Sequence, residues 1–478
     1  MGYHPGAEDD GVYLSAVNAA VHPYLYPHDA AFFKVQMHYS AFDTWMAHFV
    51  RATGMSIARS ELLWQFLSIV GILWACWRIL CRLFPDRPAR WGGLAMVSAM
   101  LTLPVAGTGI YIADQYLHPR NPATALILLA VERVLARRRL QAVPLLLVAM
   151  LLHPIMGAFG VSFCVVLALT QSERLAGWVS GVRAGSRRDV PVAARGVALI
   201  PLGWMFRPPT ADWLKAMQSR HWFWLYRWTW YEWLGAIGPL VLFWLLARWA
   251  RSRGEVALAR FSFAVLIYGA LQQTIALVVC GVPALLVLST VEPMRYLQLV
   301  YVFLAAAGGA LLGRHLLHRS LGRWLLFLLL ANVGMFAVQR QLFAASPHIE
   351  LPGRNSSNPW LKAFQWIRSN TPTDAYFAVG ANYLTEPGED MHSFRALAER
   401  SVLADAIKDG SVMSKAPELS AKWRSQVKAQ QGWEHFQAAD FERLRARFGV
   451  DWVLLDRPAP PGLACPWRDG GISVCRIR

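Results

Sequence analysis

Hydrophobic residues along this chain fall into blocks, and the blocks alternate with short polar connections. Apolar runs occupy residues 62–83, 92–113, 122–136, 142–153, 155–171, 191–206, 233–250, 261–281, 294–312 and 323–339. Runs of this composition read as membrane helices, although several fall short of the roughly 20 residues a full crossing takes. His153-Pro154 divides residues 142–171 into two short helices, because both flanks are basic and belong on one side. Ahead of the first run, His22 to Asp29 reads as a turn. Phe32 to Val50 then reads as one amphipathic helix in the membrane interface.

Arginines orient the blocks. Arg82, Arg87 and Arg90 follow the first, Arg133 and Arg137 to Arg139 the third, and Arg174, Arg183, Arg187 and Arg188 the fifth. Arg248, Arg251 and Arg253 follow the seventh, and Arg314, Arg319 and Arg323 the ninth. Every second connection is basic, which assigns those connections to the cytoplasm. Residues 1–60, 114–121, the His153 turn, 207–232, 282–293 and everything after 340 then lie outside. The expected fold is an α-helical polytopic membrane protein with about ten or eleven membrane helices. An outer-face segment spans 1–60, the helical domain 61–340, and a small extracytoplasmic α/β domain 341–478.

That last domain rests on a change of pattern after residue 354, where acids nearly balance bases. Trp360 to Ser369 predicts a helix ended by Asn370-Thr371-Pro372. Tyr376 to Val379, Ser401 to Leu403 and Asp451 to Leu455 predict strands, 418–430 and 438–447 amphipathic helices, and Leu463 to Ile477 a hairpin. Strands alternating with helices make a small α/β unit.

Composition adds one caution. The 478 residues carry a formal net charge of +17, which in a soluble protein would point to nucleic acid. Here the excess sits in short loops between apolar blocks, so it reports topology, and no nucleic-acid partner is expected. Cys76, Cys81, Cys164 and Cys280 fall in or beside apolar blocks as packing residues. Cys465 and Cys475 flank a Gly-rich turn and are expected to pair in an oxidising compartment.

Candidate chemistry gathers at the N-terminus. Glu8, Asp9 and Asp10 stand together, with Tyr13 three residues on and an apolar run beginning. Acids beside a membrane are costly unless water, a cation or a substrate meets them. The plainer reading of such a cluster is a helix cap or a solvated end. Arg295, in Glu292-Pro293-Met294-Arg295-Tyr296, stands at an outer block mouth where the positive-inside bias does not explain it. Snorkelling or pairing with Glu292 is its plainer reading. Arg120 is a second such cation. His-Pro pairs at His4, His22, His118 and His153 all fall on the outer side, either as turn punctuation or converging on one cavity. Their spacing matches no compact zinc motif, so no metal ligands are assigned. Trp213, Trp222, Trp224, Trp228 and Trp230, with Arg220, make the 207–232 loop an aromatic belt or an aromatic-faced lid.

Two stretches carry a resemblance. Asp9-Asp10-Gly11-Val12-Tyr13 resembles the acidic pair and tyrosine in the first outer loop of GT-C glycosyltransferases. Trp366 to Ala375, with Asn370-Thr371-Pro372-Thr373-Asp374-Ala375, is similar to the segment opening the soluble domain of such proteins. The likeness covers most of the chain in architecture but only these two stretches in letters. It implies a bacterial inner-membrane enzyme moving a sugar from a polyprenyl-phosphate donor to a lipid, glycan or protein acceptor at the outer face. It implies Asp9 as base, Asp10 as the neighbour that raises its pKa or shares a cation, and Arg295 and Arg120 on the donor phosphate. Glu8, Tyr13, His118 and His153 would line the cavity, and the chemistry admits a divalent cation without requiring one. In the family a membrane helix precedes the acidic loop, whereas eight residues precede Asp9: either that helix is missing from the sequence as written, or it is absent and the active-site reading weakens. The alternative is a non-catalytic membrane protein that scaffolds or transports envelope polysaccharide; a transporter would show charges at mid-membrane, and these blocks show few.

Overall fold

A computed structural model describes residues 1–171, 209–218 and 220–477. The expected block at 191–206 and the arginines from Arg174 to Arg188 lie outside the described residues.

Three helices lead the chain: α1 (Asp10–Val21), α2 (Ala31–Tyr39) and α3 (Phe42–Thr53). The single helix expected over 32–50 is therefore two. The break is anchored, since Ser40 Oγ donates to Leu152 O at 2.6 Å and Ala41 N to Leu151 O at 2.9 Å. α4 (Ile57–Leu83) begins at Ser56, whose hydroxyl caps Arg59 N. α5 (Arg87–Ala99) follows, capped by Asp86. The run at 92–113 is not one helix. Past Ala99 the chain forms a loop with a two-strand ladder, β1 (Pro104–Val105) and β2 (Ile110–Tyr111). Pro104 withholds an amide, and Gly107 (φ 66°) and Gly109 (φ 65°) take left-handed conformations under Trp228 and Trp222.

α6 (Arg120–Leu135), α7 (Arg139–Leu152) and α8 (Pro154–Thr170) come next, with α7 and α8 meeting at His153. After the undescribed stretch come α9 (Ala211–Gln218), α10 (Trp230–Ser252), α11 (Val256–Gly281), α12 (Leu297–Leu312) and α13 (Leu321–Leu342). Thr229 and Glu232 form a capping box that starts α10. Among the described residues five helical stretches are long and apolar enough to cross a membrane: α4, α10, α11, Pro293–Leu317 around α12, and α13. α7 and α8 are shorter apolar helices. On α13, Leu325, Leu326, Leu329 and Leu330 are each more than half exposed. A face of that kind is stable against lipid tails rather than water, and the chain is a membrane protein.

The connections collect at two ends of the bundle. At one end Arg78, Arg82 and Arg133 all bind Glu132, and Arg314 bridges Asp86 and Glu255. At the other end Gln65, near the start of α4, donates to Asp114 O at 2.7 Å. Among the described residues, the connections carrying Arg82, Arg133 and Arg314 thus share one end.

The tail holds α14 (Pro359–Asn370), β3 (Tyr376–Ala378), α15 (Phe394–Ala398), β4 (Ser401–Val402), α16 (Lys408–Val412), α17 (Ser420–Ala429), α18 (Ala438–Phe448), β5 (Trp452–Leu455), β6 (Ala464–Asp469) and β7 (Ile472–Arg476). The sheet order is β4-β3-β5-β7-β6, parallel through β5 and antiparallel beyond. Cys465 and Cys475 are joined by a disulfide across the final hairpin.

The acidic segment is clasped between bundle and tail. A Cβ on Gly11 would stand 2.3 Å from Ser393 Cβ, so only glycine permits this approach of α1 to the start of α15. Asn18 Nδ2 donates to Ala396 O at 3.1 Å, and Tyr26 OH to Arg395 O at 3.0 Å.

Candidate functional site

Asp9 ends the turn before α1, where its side chain reaches a cavity built from four separate connections. The loop after β2 supplies His118, and the α7–α8 junction supplies His153. The segment between α9 and α10 supplies Arg220 and Trp222, and the turn before α12 supplies Glu292 and Arg295. The tail closes it with Lys408, Ser411, Ser414 and Lys415. The cavity is small, about 80 Å³. Four cationic side chains face two carboxylates there, so the wall carries excess positive charge.

The Glu292 carboxylate is shared. Arg295 Nη1 lies 2.7 Å from its Oε2, while Arg220 Nη1 (3.4 Å) and Trp222 Nε1 (3.3 Å) approach Oε1. Arg295 Nε and Arg220 Nε are buried with no acceptor. A buried N–H without an acceptor is costly, and here two belong to guanidinium groups at a cavity wall. That is the donor set for a phosphate or another oxyanion. Lys415 stands with them. Burial and the neighbouring arginines hold its ammonium down to about 8, with Glu292 opposing.

His118 Nδ1 accepts from Arg120 N at 3.0 Å, and His153 Nδ1 accepts from Met156 N at 3.3 Å. Each ring therefore carries its proton on Nε2 and offers one donor. Burial, with Arg120 and His153 adding to it, holds His118 well below the usual histidine range. Tyr13 packs edge-on to His118, ring centroids 4.6 Å apart.

Four of the expected site residues sit in this geometry differently from the expectation. Burial alone would raise the Asp9 carboxyl, but Lys408, His118, Arg120 and Arg295 hold it well below the ordinary range. Lys408 Nζ sits 2.9 Å from Asp9 Oδ1. Asp9 is thus an ionised carboxylate, not one raised toward neutrality. Asp10 is not its partner in the cavity. The Asp10 carboxylate turns back to accept from Gly6 N at 2.6 Å, and burial, with Asp114 and Asp9 nearby, pushes it up. Arg120 binds the two oxygens of Asp114 through Nη2 and Nε at 2.7 and 3.0 Å, fully buried, and does not line the cavity. Glu8 lies outside the cavity, within reach of Tyr111 OH at 3.4 Å.

Of the four His-Pro pairs, those at His118 and His153 meet at the cavity, rings 5.7 Å apart. His4 lies elsewhere, and His22 packs near Tyr24. Trp222 faces the cavity, Trp213 is buried and Trp230 is exposed, so the aromatic loop is neither purely belt nor purely lid.

A family model described as Domain of unknown function (DUF6798) matches residues 358–427. It covers α14 through most of α17 and includes Lys408 and Lys415. No curated protein matches the sequence. Among solved structures, the chain is similar to the archaeal oligosaccharyltransferase AglB from Archaeoglobus fulgidus, in complex with an inhibitory peptide and a dolichol-phosphate. Identity is 12%, TM-score 0.45, and the match covers 94% of this chain. The chain spans 65% of the length of that one.

Sequence reasoning passed over Lys408, Lys415 and Asp114, and named Glu292 as a partner for Arg295, the pair the structure shows. A signal for the lysines existed. The chain has seven lysines among its 47 basic residues, and four of them stand at 408, 415, 422 and 428.

The cavity does not end at its polar wall. Tyr13, His153, Ser414 and Lys415 also line an adjoining groove of about 650 Å³. Its other walls are largely apolar, with Leu152, Ile155, Trp213, Val287 and Val291. The donor set does not suit a divalent cation. Of the two carboxylates, Asp9 is paired with Lys408 and Glu292 with arginines, and both histidines turn Nδ1 to backbone amides.

Proposed function

We propose that the chain is a GT-C-type membrane glycosyltransferase that moves a sugar from a polyprenyl-phosphate donor to an envelope acceptor. One observation carries this reading: a cationic polar cavity adjoins a large apolar groove, and an ionised carboxylate stands on the cavity wall. A ligand with an anionic head and a long apolar tail matches both parts. Arg295, Arg220 and Lys415 bind the phosphate, and the groove takes the first part of the polyprenyl chain.

The reaction balances without a cofactor. An acceptor hydroxyl oxygen attacks the anomeric carbon as the bond from that carbon to the phosphate oxygen breaks. The phosphate leaves with the electron pair, and the cations stabilise the charge that grows on it. The configuration at the carbon inverts. Asp9 orients the hydroxyl as an acceptor and takes its proton. A carboxylate held this acidic is a weak base, so the transfer is late, after the attacking oxygen has become strongly acidic. The acceptor is a lipid, glycan or protein hydroxyl, and the site faces outward from the bacterial inner membrane.

The test is donor turnover in proteoliposomes with a panel of polyprenyl-phosphate sugars, reading released polyprenyl phosphate. Asp9→Asn is expected to lower turnover by about a hundredfold or more while donor binding persists. Equal turnover in the variant refutes the role of Asp9. Donor binding without turnover in the wild type under any acceptor favours the non-catalytic alternative.

A further inference from the structure

Away from this cavity, a second cluster joins the start of the chain to the tail. We propose that His4, Glu350 and His392 form a structural divalent-metal site of the zinc type. Their donor atoms all lie within 4.8 Å of one another. His4 Nδ1 is 2.7 Å from Glu350 Oε1, and His392 Nε2 is 3.1 Å from both Glu350 oxygens. A tetrahedral zinc with bonds of ~2.0 Å sets its ligand atoms roughly 3.3 Å apart, and the two histidine–carboxylate distances are within a few tenths of an ångström of that spacing. Both imidazoles are fully buried, and the carboxylate is 11% exposed. Two imidazoles and one carboxylate suit zinc and its neighbours rather than calcium or magnesium.

The surroundings orient the ligands. His392 Nδ1 lies 3.0 Å from Glu389 O, so that nitrogen donates to a backbone carbonyl. With Nδ1 as the donor, a bound metal would take the Nε2 lone pair beside Glu350, the outer-shell arrangement common to metal-bound histidines. A lone pair facing carboxylate oxygens repels them unless a cation or a proton lies between. His4 is held flat against Phe343, ring centroids 3.7 Å apart at 4°. The turn before His392 places Asp390 (φ 60°) and Met391 (φ 61°) in left-handed conformations, a local strain that the rest of the site must outweigh.

The backbone shows what the metal would do. Tyr3 N donates to His348 O at 3.1 Å and Glu350 N to Tyr3 O at 2.9 Å. Glu8 N donates to Met391 O and Ser393 N to Gly6 O, both at 2.8 Å. The first residues are thus wedged between 348–350 and 391–393, and the three ligands come one from each strip. Asp9 stands five residues after His4, so the metal pins the segment that carries it. This inference does not depend on the proposed reaction.

The test uses the full chain, purified in detergent without an oligohistidine tag and assayed for metal by plasma mass spectrometry. About one equivalent of zinc or a neighbouring metal per chain is expected. Removing it with a strong chelator should lower the thermal midpoint by several degrees, and zinc alone should restore it. His4→Ala and His392→Ala should each lose the metal and the response to zinc, whereas Asp9→Asn should keep both. The proposal is overturned if the wild type holds far less than one equivalent and its midpoint ignores chelator and zinc. It is also overturned if the metal survives both histidine substitutions. Should a variant fail to fold, the chelation and re-addition arms on the wild type still decide.

Discussion

Arg395 ties the N-terminal segment to the tail beside the site, and replacing it by methionine makes that tie measurable. Its guanidinium binds Asp409 through two bonds of 3.0 and 3.1 Å and Asp29 through one of 2.6 Å. All three residues are buried. Asp29 belongs to the N-terminal segment, while Asp409 sits in α16 beside Lys408. The arginine thus ties that segment to the helix that delivers Lys408 to Asp9. Methionine fills much the same volume but leaves two buried carboxylates facing each other without a cation. Breaking a buried pair from one side costs about 3–5 kcal/mol, largely the penalty of the orphaned charge. Arg395→Lys keeps the charge but loses the two-pronged geometry, and should fall between.

The assay is thermal unfolding of the full chain in detergent, run from neutral to mildly acidic pH. At neutral pH the Met variant should unfold many degrees earlier. The sign of the pH effect follows from the orphaned acids. Protonation removes the uncompensated charge, so the penalty is full at neutral pH and shrinks as pH falls. The gap between variant and wild type should therefore narrow on acidification. An unchanged midpoint at neutral pH, or a gap that widens on acidification, would refute the reasoning.

Three further outcomes are expected. The purified protein should show a 465–475 disulfide by mass before and after reduction, and a periplasm-active reporter fused after Arg478 should be active; a reduced pair together with a cytoplasm-only reporter would reverse the topology. Cys475→Ser should lower tail stability by about 3 kcal/mol, read as faster limited proteolysis after residue 354. For Lys408→Met, the folded pKa of Asp9 is depressed in the wild type, so its ionised form is kept until pH falls through that low value. Removing Lys408 should move the acid limb of the donor turnover profile to higher pH, and an unmoved limb would show that Lys408 does not set the charge of Asp9.

Much of the helical architecture was legible because apolar runs leave few alternatives, and His153-Pro154 marked the α7–α8 junction correctly. The run at 92–113 misled because its apolar letters outweighed Pro104, Gly107 and Gly109, which build the β1–β2 loop reaching the cavity. Ser40 broke the expected helix at 32–50 through a bond to α7, a contact no local pattern displays. Asp9, Tyr13, His118, His153 and Arg295 were legible as residue types in the right connections, and the structure sets them around one cavity. The direction of Asp10 was not legible, since it depends on the Gly6 amide folding back. Nor was the charge of Asp9, which is set by a lysine 399 residues away. The pairing of Arg120 with Asp114, only six residues apart, was not legible either, because it is read as a pair only once both are buried.

The central claim is that a lipid phosphate occupies the cavity with its chain in the adjoining groove. Cryo-electron microscopy of the protein saturated with a polyprenyl monophosphate tests it most directly. The account predicts phosphate density within hydrogen-bond reach of Arg295, Arg220 and Lys415, on the same cavity as Asp9, and a tail running past Trp213 and Val287. Phosphate bound elsewhere, or a cavity that stays free of density at saturating lipid, would contradict it.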